Sequence, residues 1–339
     1  MGQGPFGLSY FLQGALAGGI CCGLTHGALT PVDVVKTRIQ LDPAKYNQGF
    51  LGGVRQVASA EGAGALLTGL APTAQGYFIQ GWFKFGGVEL FKVNITKSIG
   101  DQAAWDNRNS IYLAASAVAE FIADIFLCPY EACRIRLVSD PSYASGMAGY
   151  ARTPQMPLAS RVIARAASRA CDPCPPPRTR CASRLVAENG FVSAFYSGFV
   201  PILFKQIPYT MAKFAVQGKT AETMYGSMGT SPDKMSKGAN ICVSLASGVV
   251  AGVVAATISH PADTLLSKIN KAGAGGEGSM MTRLMNITAE TGIVKLCTQG
   301  LFARWIMIGT LTAGQFGIFD IVMNAVGAKK FHFHDPKKH

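Results

Sequence analysis

Residues 1–32 contain no Asp, Glu, Lys or Arg, and residues 62–83, 238–262 and 305–319 are equally free of them. Helices built from such runs have no charged face to turn to water, so protein or lipid must cover them. Two further apolar stretches carry isolated charges. These are 110–133, with Glu120, Asp124 and Glu131, and 190–216, with Lys205 and Lys213. A membrane-spanning helix needs about 20 mostly apolar residues. The sequence therefore offers six candidates, beginning near residues 8, 69, 110, 197, 239 and 300. Gly14-x-x-x-Gly18 and Gly248-x-x-x-Gly252 place small residues on one helix face, where backbones can approach closely. Only 15% of residues are charged and 49% are hydrophobic, which excludes a disordered chain or a coiled coil.

The few charges are unbalanced. Lys and Arg number 31 against 19 acids, a net +12 that suits an anionic partner. Basic residues are not interleaved with aromatics, and no zinc-finger or RNP pattern occurs, so nucleic acid is not an expected partner. Nine cysteines without framework spacing read as buried reduced thiols. The opening run lacks a basic n-region and continues straight into a charged helix end, and no Arg-rich presequence precedes it. We expect the chain to start about where its first helix starts.

Internal repetition organises these stretches. Pro, any residue and an acid recur at the end of the first, third and fifth: Pro31-Val32-Asp33-Val34-Val35-Lys36, Pro129-Tyr130-Glu131-Ala132-Cys133-Arg134 and Pro261-Ala262-Asp263-Thr264-Leu265-Leu266. Gly69-Leu70-Ala71-Pro72, Gly198-Phe199-Val200-Pro201 and Gly300-Leu301-Phe302-Ala303 follow, and then Lys84-Phe85, Lys213-Phe214 and Gln315-Phe316. The motif proline and that Phe are 54 residues apart in the first unit, 85 in the second and 55 in the third. We therefore expect repeats over 1–100, 101–230 and 231–339. The second carries an extra basic, Pro/Arg-rich loop at 149–184, which holds seven Arg and six Pro. Cys171, Cys174 and Cys181 fall short of the four ligands of a structural zinc site, and no metal is expected.

Three two-helix units with this motif resemble the mitochondrial carrier family. The likeness covers nearly the whole chain outside 149–184. Four stretches resemble its phosphate-transporting branch: Thr25-His26 with Pro31 to Gln40, Ala119 to Asp124, Gln206 to Phe214, and Met307 to Ala313. The resemblance implies an all-α membrane protein of six transmembrane helices in three two-helix repeats, with pseudo-threefold symmetry. It implies a multi-pass barrel in the mitochondrial inner membrane, with both chain ends facing the intermembrane space. The motif prolines would kink the odd-numbered helices. Such a carrier works as a monomer among inner-membrane lipids, cardiolipin included, and without a cofactor. It would import inorganic phosphate into the matrix with a proton, or in exchange for hydroxide, by alternating access. Another anion carrier of the family, for a dicarboxylate or keto acid, is the near alternative, and a non-transporting membrane protein a remoter one. No nucleophile elbow, metal-ligand helix or nucleotide loop points to an enzyme.

The motif charges lie three residues apart, nearly on one helix face. In the family the base on one odd helix meets the acid on the next, so Lys36 would meet Glu131 and Arg134 would meet Asp263. Leu266 replaces the third base, leaving Asp33 without its partner. The intermembrane-side gate is thinner: Glu89, Lys92 and Asp320 are present, and Lys92 with Asp320 is the one pair to be drawn. His26 and Asp124 each lie five residues before a motif proline, so repeat equivalence puts them at one depth, with Glu120 a turn away. Ionisable groups in a membrane helix usually line a water cavity or relay protons. The resemblance assigns His26, Glu120, Asp124 and Asp33 to proton coupling, the simpler reading being a static polar cluster. Lys205 and Gln206 sit where the family sorts substrates. Lys84, Lys213 and Gln315 are repeat-equivalent, and Gln80 and Arg304 join them as substrate-site candidates.

Overall fold

The structure is a computed structural model that describes residues 6–41, 45–46, 48–139, 181–196, 198–269, 280–298, 300–328, 330, 331 and 333. Its regular elements, among the described residues, are all helical. Six of them are long: α1 (Leu8–Ala28), α4 (Leu70–Ile99), α6 (Arg108–Ser139), α9 (Phe199–Ser227), α10 (Lys237–Ile269) and α13 (Leu301–Ala325). Four spans are long and apolar enough to cross a membrane: Leu8–Ala28, Arg108–Val138, Lys237–Leu265 and Arg304–Ala325. In a bilayer only such self-satisfied backbones, or closed barrels of strands, are tolerated. Helices α4 and α9 are of similar length, 30 and 29 residues. Their charges are spread along them, with Lys84, Glu89, Lys92 and Lys97 in one and Lys205, Lys213, Lys219 and Glu222 in the other. Leu24, Phe126, Val249, Ile258, Ile306 and Ile321 are exposed on the long helices, an apolar exterior suited to lipid.

The motif prolines do not act alike. Pro129 and Pro261 lie inside α6 and α10. At the first motif the helix breaks instead: α1 ends at Ala28, and Pro31 is the second residue of α2 (Thr30–Leu41). A proline has no N–H for the preceding turn and is accommodated at a helix start.

In each repeat two short helical elements lead into the second long helix. The pairs are α3 (Gly49–Glu61) with a 3₁₀ turn at Ala63–Leu67, α7 (Cys181–Asn189) with α8 (Phe191–Tyr196), and α11 (Met280–Thr291) with α12 (Ile293–Thr298). Between the members of each pair stands a left-handed glycine: Gly62, Gly190 and Gly292, with φ of 87°, 73° and 78°. A side chain there would be strained, so the threefold recurrence of glycine is a backbone requirement. The short α5 (Asp101–Asp106) links α4 to α6. The expected loop at 149–184 lies outside the described residues up to 180. Its last four residues are not loop, because they open α7, where Cys181 is buried.

The chain forms two compact units. One comprises residues 1–29, 74–128 and 198–339, the other 30–73 and 129–197. In the first, α1 meets α4 backbone to backbone. A Cβ on Gly18 would lie 2.4 Å from the Gly81 carbonyl oxygen, and one on Gly81 2.2 Å from that of Gly18. Gly248 and Gly252 let α10 approach α13 at Ala313 and Gly309 in the same way. Phe85, Phe214, Phe316 and Phe319 form the centre of its core with Cys21, Cys22 and Met323. In the second unit, Cys133, Leu137, Cys181, Leu185, Ala194 and Phe195 pack together. There Arg38 is buried against Glu61, with Nη2 3.0 Å from Oε2, and donates to the Tyr46 hydroxyl at 3.3 Å. Burial by itself pulls Arg38 down, but the pairing with Glu61 and Tyr46 outweighs it and holds the guanidinium above its usual value.

Gly81→Leu should prevent α4 from seating on α1. Overpacking typically costs about 1–3 kcal/mol, and more where backbone must shift. We expect a melting temperature several degrees lower for the purified protein, and the same for Gly18→Leu, whereas Gly14→Ala, with its nearest neighbour 3.9 Å away, should melt normally.

Candidate functional site

Gln80, Lys84, Glu120 and Asp124 form one buried cluster between α4 and α6. Glu120 and Asp124 have no exposure to solvent. They are one turn apart on α6, and Gln80 and Lys84 are one turn apart on α4, so two helix faces meet residue by residue. The Gln80 amide donates to Glu120 Oε1 at 2.9 Å and to Asp124 Oδ1 at 3.2 Å. Lys84 Nζ lies 2.9 Å from Glu120 Oε2. Asp124 Oδ2 is buried without a hydrogen-bond partner among the described residues. Residues expected to serve the substrate and residues expected to serve the proton therefore share one network. His26 stacks flat on Tyr77, with ring centroids 3.6 Å apart, and Tyr77 lies three residues before Gln80 on α4.

The repeat-equivalent Lys84, Lys213 and Gln315 take different partners, and Lys84 turns to Glu120. Lys213, 1% exposed, donates to the Gln315 side-chain oxygen. Its ammonium sits 5.0, 5.6 and 5.2 Å from the ring centres of Phe85, Phe214 and Phe316. Those three phenylalanines each follow one of the three polar residues. Their rings meet edge to face in all three pairs, at 5.0, 5.8 and 5.6 Å. In sequence they serve only to align the repeats; in the fold they are the aromatic layer on which a buried cation rests. Tyr209, paired with Thr312 at 3.2 Å, is another contact that the sequence does not announce.

A third group gathers on Asp263. Arg304 forms an ion pair with it and reaches Ser259 Oγ at 3.1 Å, and Lys205 Nζ is 3.8 Å from its other oxygen. Two substrate-site candidates thus hold one motif carboxylate. Lys205 remains one-third exposed, and Gln206 beside it is half-buried. Arg134, expected to meet Asp263, spans Asp33 at 3.0 Å and Glu131, on its own helix, at 2.9 Å. Asp33 is therefore not left without a base. A guanidinium presents a fork of donors and can serve two carboxylates at once. Lys36 is half-buried on α2, and the side chain of Leu266 lies outside the described residues.

At the end of the first unit where α1, α6 and α10 begin, the expected pair of Lys92 and Asp320 does not form. Lys92 is 2.6 Å from Glu89, its neighbour on the same helix face. Asp320 accepts from Ser244 and lies 4.0 Å from Lys330. Glu89 also accepts from Tyr10 at 2.8 Å. A partner one turn away on α4 is already in place when the helix forms, so it wins over one on another helix. Arg108 with Glu222 at 2.9 Å, and Tyr225 with Asn240 at 3.0 Å, add contacts between helices there.

The model of the family described as mitochondrial carrier protein matches residues 8–98, 106–228 and 237–330, one match per repeat. The chain belongs to the mitochondrial carrier family. As a mitochondrial carrier it is a multi-pass protein of the mitochondrial inner membrane. It is 41% identical to mitochondrial substrate carrier family protein N of Dictyostelium discoideum, over 94% of this chain and 96% of that protein. It is 39% identical to the mitochondrial phosphate carrier protein of Caenorhabditis elegans, over 96% and 84% of the two chains. Human solute carrier family 25 member 3 is 38% identical, over 92% and 75%.

Removing one partner of a buried ion pair costs about 3–5 kcal/mol, because it leaves a charge uncompensated. Lys84→Met should therefore lower the melting temperature of this carrier sharply. Adding Glu120→Gln to Lys84→Met should recover most of the loss, since Glu120 then carries no charge for Lys84 to compensate. Melting of the wild type, both single variants and the double variant checks this.

Proposed function

We propose that this carrier imports inorganic phosphate into the mitochondrial matrix together with a proton, or in exchange for hydroxide, by alternating access. The names of the relatives from Caenorhabditis elegans and of similar proteins at this level of identity support the anion. The observation that carries the proton is the buried cluster. It holds two carboxyl groups, Glu120 and Asp124, and one cation, Lys84. A second buried carboxylate has no cation of its own here, and taking up a proton removes its charge. His26, joined to the same face of α4 through Tyr77, completes a set of groups able to pass that proton. Asp33 belongs to the same path as a carboxylate whose partner changes.

Lys205, Gln206 and Arg304 supply the first positive contacts for the anion. Gln80, Lys84, Lys213 and Gln315 supply donors along the cavity. An incoming phosphate competes with Asp263 for Lys205 and Arg304, so binding the substrate loosens a motif acid. Asp33, Lys36, Glu131, Arg134 and Asp263 form the matrix gate, and Glu89, Lys92 and Asp320 belong to the gate at the other end. The carrier acts as a monomer among inner-membrane lipids, cardiolipin included.

Two measurements in liposomes test this reading. Lys205→Ala should abolish uptake of labelled phosphate while the protein still folds; normal uptake would remove Lys205 from the site, and a preference for dicarboxylates would replace phosphate as the substrate. Glu120→Gln and His26→Gln should each separate phosphate movement from the pH gradient. Phosphate–phosphate exchange moves no net proton and should persist, while uptake driven by the gradient falls by about tenfold or more, the loss expected when a positioned proton-transfer group contributes at least that factor. A static cluster predicts equal loss of both modes.

A further inference from the structure

We propose that the described residues following α13, Val326, Gly327, Ala328, Lys330, Phe331 and Phe333, are a lid that seals the first unit at the end where α1, α6 and α10 begin. It supplies there the interhelical closure that the even-helix charges lack. The inference rests on the alternating-access part of the function above and not on the identity of the anion.

The chain is steered into place by a turn. Gly327 has φ of 74°, its N–H bonds to the Asn324 carbonyl at 3.3 Å, and the Ala328 N–H bonds back to that of Met323 at 2.9 Å. This paired arrangement ends a helix and reverses the chain, and it needs a residue free to adopt positive φ. Ala328 then packs in the same core as Met323. The reversed segment does not run off into solvent, since Phe331 is only 2% exposed.

Its contacts fall on the groups of the incomplete gate. The Phe331 N–H donates to the Tyr10 hydroxyl at 3.0 Å, and that hydroxyl donates to Glu89. Lys92, the other half of the Glu89 pair, lies 5.6 Å from the Phe331 ring and 5.1 Å from that of Tyr112. Phe333 packs edge-on against Tyr112, and Phe331 against Phe6. Lys330 brings a cation to Asp320 and stands 5.4 Å from the ring of Phe316, a member of the aromatic layer under Lys213. One short segment thus touches α1, α4, α6 and α13 and covers both the Glu89–Lys92 pair and the aromatic layer beneath. Among the described residues its hold on the other helices is the Phe331 bond to Tyr10, a Gln13 side-chain bond to the Val326 carbonyl at 3.3 Å, one long ion pair and ring edges. That is enough to close the end and little enough to release it during a transport cycle. The same turn ends α9, where Gly229 has φ of 63° and the Thr230 N–H bonds back to the Tyr225 carbonyl.

Lys92, 1% exposed beneath the lid, reports closure directly. Purified full-length protein is treated with a water-soluble amine-acylating reagent, and modification of Lys92 is followed by peptide mass spectrometry. Cys133 and Cys181, buried in the second unit, report unfolding through a thiol reagent in parallel. In Phe331→Ala, and in the chain ended at Gly327, Lys92 should be modified at least about tenfold faster, a difference of about 1.4 kcal/mol in sealing, with both thiols still protected. Phe331→Tyr should keep Lys92 slow. Should Phe331→Ala expose the thiols, Lys330→Gln, which keeps the turn and the ring, gives the same reading. An unchanged rate at Lys92 in variants whose thiols stay protected would overturn the lid.

Discussion

A carboxylate cut off from water must find a cation or a proton, and that requirement at Glu120 and Asp124 organises the first unit. Both are fully enclosed, one turn apart on α6. Their demand is met from α4, by Lys84 and by the two-pronged contact of Gln80. This fixes the register of α4 against α6. The same helix is fixed against α1 by the contact of Gly18 with Gly81, one residue past Gln80. Charge pairing and close approach thus act at the same height of one helix. A shift of α4 by a single turn would break both.

Positive charge elsewhere is handled by sharing. Asp263 is held by two cations, Arg304 and Lys205, while Arg134 divides itself between Asp33 and Glu131. Neither arrangement is a set of closed one-to-one pairs. Groups that share partners can exchange them with little change in the number of satisfied contacts, which suits an element required to open and close. Buried ion pairs contribute little net stability, so they are better understood as choices among states than as sources of strength.

Much of this was legible from residue types alone. The charge-free runs mark where the long helices lie, and the Pro-x-acid recurrence marks their grouping in three. The isolated acids in 110–133 were candidates because nothing polar surrounds them in sequence. What stayed hidden depends on distance in space. Arg134 reaching Asp33 follows from the length and fork of its side chain, not from its place in the repeat. Lys92 turning to Glu89 reflects competition between a partner one turn away and a remote one. Tyr10, Tyr77, Ser259 and Lys330 carry no repeat signature, so no periodicity could single them out. The three left-handed glycines at 62, 190 and 292 were present in the sequence, but their meaning is a backbone angle that appears only in the fold.

The packing of Cys181 and Leu185 against Cys133 and Leu137 brings the two ends of the middle repeat's extra length to one spot. The chain departs just beyond Leu137 and re-enters at Cys181. Once both anchors are packed, the cost of joining them rises only with the logarithm of the connection, by about 0.6 kcal/mol per doubling. Lengthening the connection between these two points thus costs the fold little. The middle repeat therefore has a built-in port for inserted sequence, and descendants of this fold are free to acquire or lose whole segments there while the transport machinery is inherited intact.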